Sequence, residues 1–251
     1  MASAGAIALT GSAAMAADLA PPPVFTWTGV YLGGQVGYAW GTDNESLFAN
    51  NATKFFSGTL DSNPQGVIGG AHAGYNLQIN QWVLGLEGSV DGTSLTKTVA
   101  PTFSGNIPAV TSISEESSSD IQGSVRGRLG VAFDRVLLYA TGGVAFGGFN
   151  TNFANGSKLA FLPVGATSSF SNTRVGWTVG GGIEYALTNN WLVRAEYRYT
   201  DFGRFADAPF KDSFTLGWVA TTSHRITQNQ VEAGFSYKFD FFAPPPVVAK
   251  Y

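Results

Sequence analysis

Eight stretches of the chain alternate their side chains with a period of two, and the apolar face of each carries no charge. Such alternation marks β-strands whose two faces meet different surroundings. In residues 27–41, Val30, Leu32, Val36, Tyr38 and Trp40 form one face and Gly33, Gln35 and Gly37 the other. Val67, Ala71, Tyr75, Leu77 and Ile79 oppose His72 and Asn76, and Trp82, Leu84, Leu86 and Val90 oppose Glu87, Ser89 and Asp91. Ile121, Val125, Leu129 and Phe133 oppose Asp120, Gln122, Arg126 and Arg128; Val136, Leu138, Val144 and Phe146 oppose Tyr139 and Thr141. Val175, Trp177, Val179 and Ile183 oppose Arg174, Thr178 and Glu184. Trp191, Val193, Tyr197 and Tyr199 oppose Arg194, Glu196 and Arg198, and Val231, Phe235, Tyr237 and Phe239 oppose Gln230, Glu232 and Lys238.

The connections alternate too. Asn80-Gln81, Asp134-Arg135 and Thr188-Asn189-Asn190 are tight hairpin turns. Between them lie the longer polar stretches 42–65, 93–119, 150–173 and 201–227, rich in Ser, Thr, Asn and Gly. Eight antiparallel strands with four long loops at one end and three short turns at the other close into an all-β, up-and-down barrel. A membrane helix fails as an alternative. Residues 19–42 are uncharged over a bilayer-spanning length, but they hold three Pro and five Gly, and their apolar residues recur every second position.

Which face lies inside follows from chemistry. A soluble, lipocalin-like barrel would turn the charges to water and enclose the rings; an outer-membrane barrel inverts this. The rings Tyr38, Trp40, Trp82, Trp191, Tyr199, Tyr237 and Phe239 stand near strand ends, as in interfacial aromatic girdles, and would overfill a narrow interior. Charge on a lipid-facing strand costs about 2–4 kcal/mol at mid-membrane, and all eight strands avoid it. Charged residues make up 12% of the chain, about half of what soluble domains carry. A net charge of -3 excludes a basic nucleic-acid surface, and the absence of Cys removes disulfides, thiolate zinc sites and thiol nucleophiles.

Residues 1–16 read as a signal peptide, with Ala14-Met15-Ala16 fitting the small-x-small cleavage rule; the opening Lys or Arg of such a signal would come from an upstream start codon. Residues 17–26 read as a Pro-rich linker, 27–239 as the barrel and 240–251 as a tail.

The linker Ala17-Asp18-Leu19-Ala20-Pro21-Pro22-Pro23, the strand Phe25-Thr26-Trp27-Thr28-Gly29-Val30-Tyr31-Leu32-Gly33-Gly34 and the run Gly180-Gly181-Gly182-Ile183-Glu184-Tyr185 with Trp191, Arg194, Glu196 and Tyr197 are diagnostic. On these residues the chain resembles the alphaproteobacterial outer-membrane immunogenic protein family, a group of small porin-like or OmpA-like barrels. The resemblance implies an eight-stranded barrel in the outer membrane of a Gram-negative bacterium. It implies, too, a terminal aromatic for the barrel-assembly machinery, a role open to Phe239 or Tyr251.

The inward face is expected to hold Glu87, Asp91, Arg126, Arg128, Arg174, Glu184, Arg194, Glu196, Arg198, Glu232 and Lys238, with Asp120 beside them. Buried charges must be paired or hydrated, so a self-neutralising network centred on Glu184, Arg194, Glu196, Arg198 and Glu232 is expected. An eight-strand interior is just wide enough for side chains to fill it, which points to a narrow or plugged lumen. No catalytic set is recognisable: Ser223 and His224 are adjacent on a strand and point opposite ways. His72 reads as a hydrogen-bonded lumenal residue, the acids Glu115 and Glu116 as solvated loop charge, and neither a metal site nor a cofactor is expected. Two roles remain. One is a monomeric structural barrel embedded in outer-membrane lipid and lipopolysaccharide, whose loops meet host or envelope ligands. The other is a channel for small solutes.

Overall fold

The computed structural model describes residues 25–50, 55–99, 102–105, 113–155, 167–207 and 219–239. The stretches expected to be the signal peptide, most of the linker and the tail lie outside the described residues, as do the side chains of Glu115, Glu116, Asp120 and His224.

The strands are β1 (Gly29–Asn50), β2 (Phe55–Ser62), β3 (Gln65–Ile79), β4 (Trp82–Val99), β5 (Thr102–Gly105), β6 (Ile113–Phe133), β7 (Val136–Asn155), β8 (Thr167–Ala186), β9 (Trp191–Asp207) and β10 (Val219–Phe239). Eight of them, β1, β3, β4, β6, β7, β8, β9 and β10, pair antiparallel in chain order, and β10 pairs back onto β1. The closing seam runs from Val30 opposite Phe239 to Asn50 opposite Val219. β2 and β5 are short extensions beyond the barrel. β2 pairs with the upper half of β1, whose lower half pairs with β3, and β5 pairs with β2.

The turns are as short as their sequences suggest. Asn80 and Asp134 each take a positive φ, of 55° and 51°. Asn and Asp tolerate that left-handed conformation best among residues with a Cβ. At the other end the strands run well into the polar stretches. β1 reaches Asn50 rather than stopping at Gly41, and β6 begins at Ile113 rather than at Asp120. A strand of β1's length is about 70 Å long, far more than an apolar band of about 25 Å requires. The hydrophobic alternation ends where the chain leaves the apolar layer, but the ladder continues because its hydrogen bonds satisfy the backbone in water as well. Periodicity therefore marks where the apolar band ends and overlooks the strand beyond it.

The outward face is apolar: Leu32, Val36, Leu84, Leu86, Val125, Leu129, Ile183 and Phe235 are all exposed. Charged and polar residues fill the interior, flanked by three apolar clusters. At the turn end Trp27, Val83, Ala132, Leu137, Tyr139, Ala186 and Leu192 pack together with Phe25 against them. Towards the loop end Ala39, Ile68 and Leu95 form one cluster and Ala145, Phe202 and Ile226 another.

Candidate functional site

The strand order places β4 and β9 on opposite sides of the barrel, so their inward side chains meet across its full width. Glu87 of β4 receives Arg194 of β9 at 2.6 Å and Arg126 of β6 at 2.5 Å. Tyr31 of β1 donates to the same carboxylate at 2.8 Å, and Arg128 stands 3.9 Å from it. Arg126 also donates to Glu196, which accepts from Tyr139 at 2.9 Å and from Arg198 at 3.0 Å. Arg198 continues the chain to Glu232 at 3.0 Å and approaches Asp91 at 3.8 Å. Arg128 donates to Glu184 and lies 3.7 Å above the Tyr139 ring. Arg194 donates to Gln35, whose amide donates to Asp91 at 2.5 Å.

Every charged member of this assembly is at most 5% exposed. Burial of that degree costs several kcal/mol per ion unless partners replace the lost water. The alternation of arginines and carboxylates meets that condition.

The layer continues towards the loop end through neutral amides. Gln122 and Gln228 exchange hydrogen bonds of 2.8 and 3.0 Å across the barrel, Gln228 donates to Gln230, and Gln230 donates to Glu232. A cavity of about 10 Å³ lies among Asp91, Gln122, Ser124, Arg198, Thr200 and Gln230. A single water fills a space of that size.

Glycines make the crossing possible. A Cβ on Gly74 would lie 2.4 Å from the Tyr31 hydroxyl, and one on Gly182 would lie 2.7 Å from the Tyr139 hydroxyl. Both rings therefore lie over bare backbone.

Nine of the residues expected inside come together in this network: Glu87, Asp91, Arg126, Arg128, Glu184, Arg194, Glu196, Arg198 and Glu232. Two stand apart from it. Lys238 sits at the turn end, where its ammonium donates to the Thr26 carbonyl at 2.7 Å and lies over the Phe25 ring. Arg174 is half-buried near the outer part of β8, opposite Gly147. His72 is buried and shares a 2.8 Å hydrogen bond with Ser236.

The aromatic residues form two groups on the outward face. Trp82, Trp191, Tyr237 and Phe239 lie at the turn end, with Trp191 and Tyr237 5.2 Å apart and Tyr237 and Phe239 5.0 Å apart. Tyr38, Trp40 and Tyr199 lie towards the loop end, where Trp177 joins them 5.5 Å from Tyr199.

Sequence reasoning missed the apolar closure of the turn end. Trp27 precedes β1 and folds beneath the barrel, its indole N–H donating to the Asp134 carbonyl at 3.1 Å and its backbone N–H to Gln78 at 2.8 Å. The signal was present: Val83, Leu137 and Leu192 are each the second residue of the strand after a tight turn, on the face that is polar farther along.

Comparison with known proteins agrees with this geometry. The family model described as an outer membrane protein beta-barrel domain matches residues 4–239. The chain is 34% identical over 248 residues to the 31 kDa outer-membrane immunogenic protein of Brucella melitensis, covering 92% of this chain and 96% of that one. It is 33% identical over 217 residues to the 22 kDa outer membrane protein of Rhizobium leguminosarum bv. viciae, covering 86% and 80%. Among solved structures, the outer membrane protein OprG from Pseudomonas aeruginosa shares the fold at 13% identity, with a TM-score of 0.52 over 84% of this chain and 96% of that one.

Proposed function

Because the chain belongs to the outer membrane protein beta-barrel domain family and resides in the outer membrane of a Gram-negative bacterium, we propose that it is a closed, non-enzymatic anchor. In this reading the barrel holds its outer strand extensions and loops at the cell surface, where they meet envelope or host ligands. The observation that carries it is the ion-pair chain from Arg194 through Glu87 and Arg126 to Glu196, which crosses the interior between opposite walls. A hydrated ion moving through would have to break several buried pairs at once, each costing about 3–5 kcal/mol when one partner is removed. The apolar cluster around Trp27 adds a second closure at the periplasmic end.

Small-solute passage is the competing reading, and single-channel recording in planar bilayers separates the two. The anchor reading expects silent membranes after insertion of folded protein. Stable, discrete openings that disappear in Arg194→Ala or Glu196→Ala would overturn it in favour of a channel.

A further inference from the structure

The outer surface carries two arginines that the interior does not use. Between Asp201 and Arg204, β9 shifts register against β10, and Gly203 takes up the extra residue at φ 76°. The Asp201 carboxylate fixes this bulge by accepting the Gly203 N–H at 2.7 Å. As a result Arg204 lands directly opposite Arg225, and both are exposed. Side chains so paired have Cβ atoms about 5 Å apart, and like charges in that position repel. Asp201 compensates one of them, accepting from Arg225 at 3.2 Å. Among the described residues, Arg204 has no carboxylate partner.

The depth of the pair is set by the rungs beneath it. Trp40, Asn229 and Tyr199 share one cross-strand rung, Thr42, Thr227, Asp201 and Trp177 the next, and Asn44, Arg225 and Arg204 the one after. One rung is two residues, which on a tilted strand is about 5 Å along the membrane normal. The arginines therefore stand just outside the Trp177 and Tyr199 rings. Such rings mark the boundary between acyl chains and headgroups.

We propose that Arg204 and Arg225 together bind a phosphate group on a lipid headgroup of the outer leaflet, with its acyl chains lying along Trp177 and Tyr199. A phosphate accepts from both guanidinium forks at once and turns their repulsion into shared attraction. The bulge at Gly203 is what brings the two forks to one place.

The test uses folded full-length barrel in a neutral detergent, titrated with bisphosphorylated lipid A and followed by native mass spectrometry. The wild-type barrel is expected to bind one lipid at least about tenfold more tightly than R204Q/R225Q, the loss expected for removing charge-assisted bonds. Removing the lipid's phosphates should cost the wild-type barrel the same factor, and Arg135→Gln at the turn end should cost nothing. Equal binding by the double variant, or equal loss in Arg135→Gln, would overturn the site. Full displacement of the lipid by millimolar inorganic phosphate would show that a free anion, rather than a lipid, is its ligand. The interior takes no part, so a conducting barrel would leave this result untouched.

Discussion

Glu87 shows at the scale of one residue how much the interior depends on matched neighbours. It is 1% exposed and faces Arg126, Arg128 and Arg194 together. Glu87→Ala leaves those guanidiniums short of a counter-charge and should destabilise the barrel by about 3–5 kcal/mol. Urea unfolding of protein refolded into lipid vesicles measures this, and a loss under about 1 kcal/mol would mean that water already screens the site. Glycines supply a second residue-scale contrast. A Cβ on Gly33 would sit 2.0 Å from the Phe235 carbonyl and 2.6 Å from His72, within the seam between β1 and β10. A Cβ on Gly127 would meet only the Gly142 carbonyl, at 3.7 Å. Gly33→Ala should therefore impair barrel closure, seen as loss of the folded gel band, whereas Gly127→Ala should fold normally. That Glu87 and Arg194 lie on the polar face was legible from alternation, and that this face is the inner one from the chemistry of the opposite, uncharged face. That they touch was not, because contact needs β4 and β9 to stand opposite one another.

Strands obey two rules at different heights. Inside the membrane, alternation is enforced by lipid, and a charge on the outer face is costly. Leu129→Arg places one on an exposed, mid-strand position and should cost about 2–4 kcal/mol in vesicle refolding. Ser46→Arg on the exposed extension of β1 should cost close to nothing, because that part of the strand stands in water. Equal costs would contradict the height assigned to the apolar band. The extensions of β1, β4, β6, β7, β8, β9 and β10 escaped sequence reading for the same reason: with water rather than lipid outside, no continuous apolar face is required. The turn-end apolar positions escaped for another. Val83, Leu137 and Leu192 are single departures in otherwise polar faces, and their meaning emerges only when three strand ends converge.

As a whole, the molecule is held by closure. β10 pairs with β1 along the full length of both, leaving the eight-stranded wall without a free edge through the membrane. Closed barrels resist detergent until heated, so the unboiled protein should run faster than the boiled one on a gel. Identical mobilities would count against the closed state in solution. Trp27 closes the base from outside the ladder, and Trp27→Ala should cost about 3–5 kcal/mol, as for other buried aromatics, while leaving the gel shift intact. A lost shift would mean that the base nucleates the barrel rather than sealing it. By itself the sequence determined the eight strands of the wall, the two faces of each within the apolar band and the membrane as solvent, since a period of two and an uncharged face are properties of neighbours along the chain. Only the tertiary structure decided which charges pair, that Trp27 turns back under the barrel, and that a bulge sets Arg204 against Arg225. Those contacts join residues distant in sequence, and their geometry exists only once the cylinder has closed.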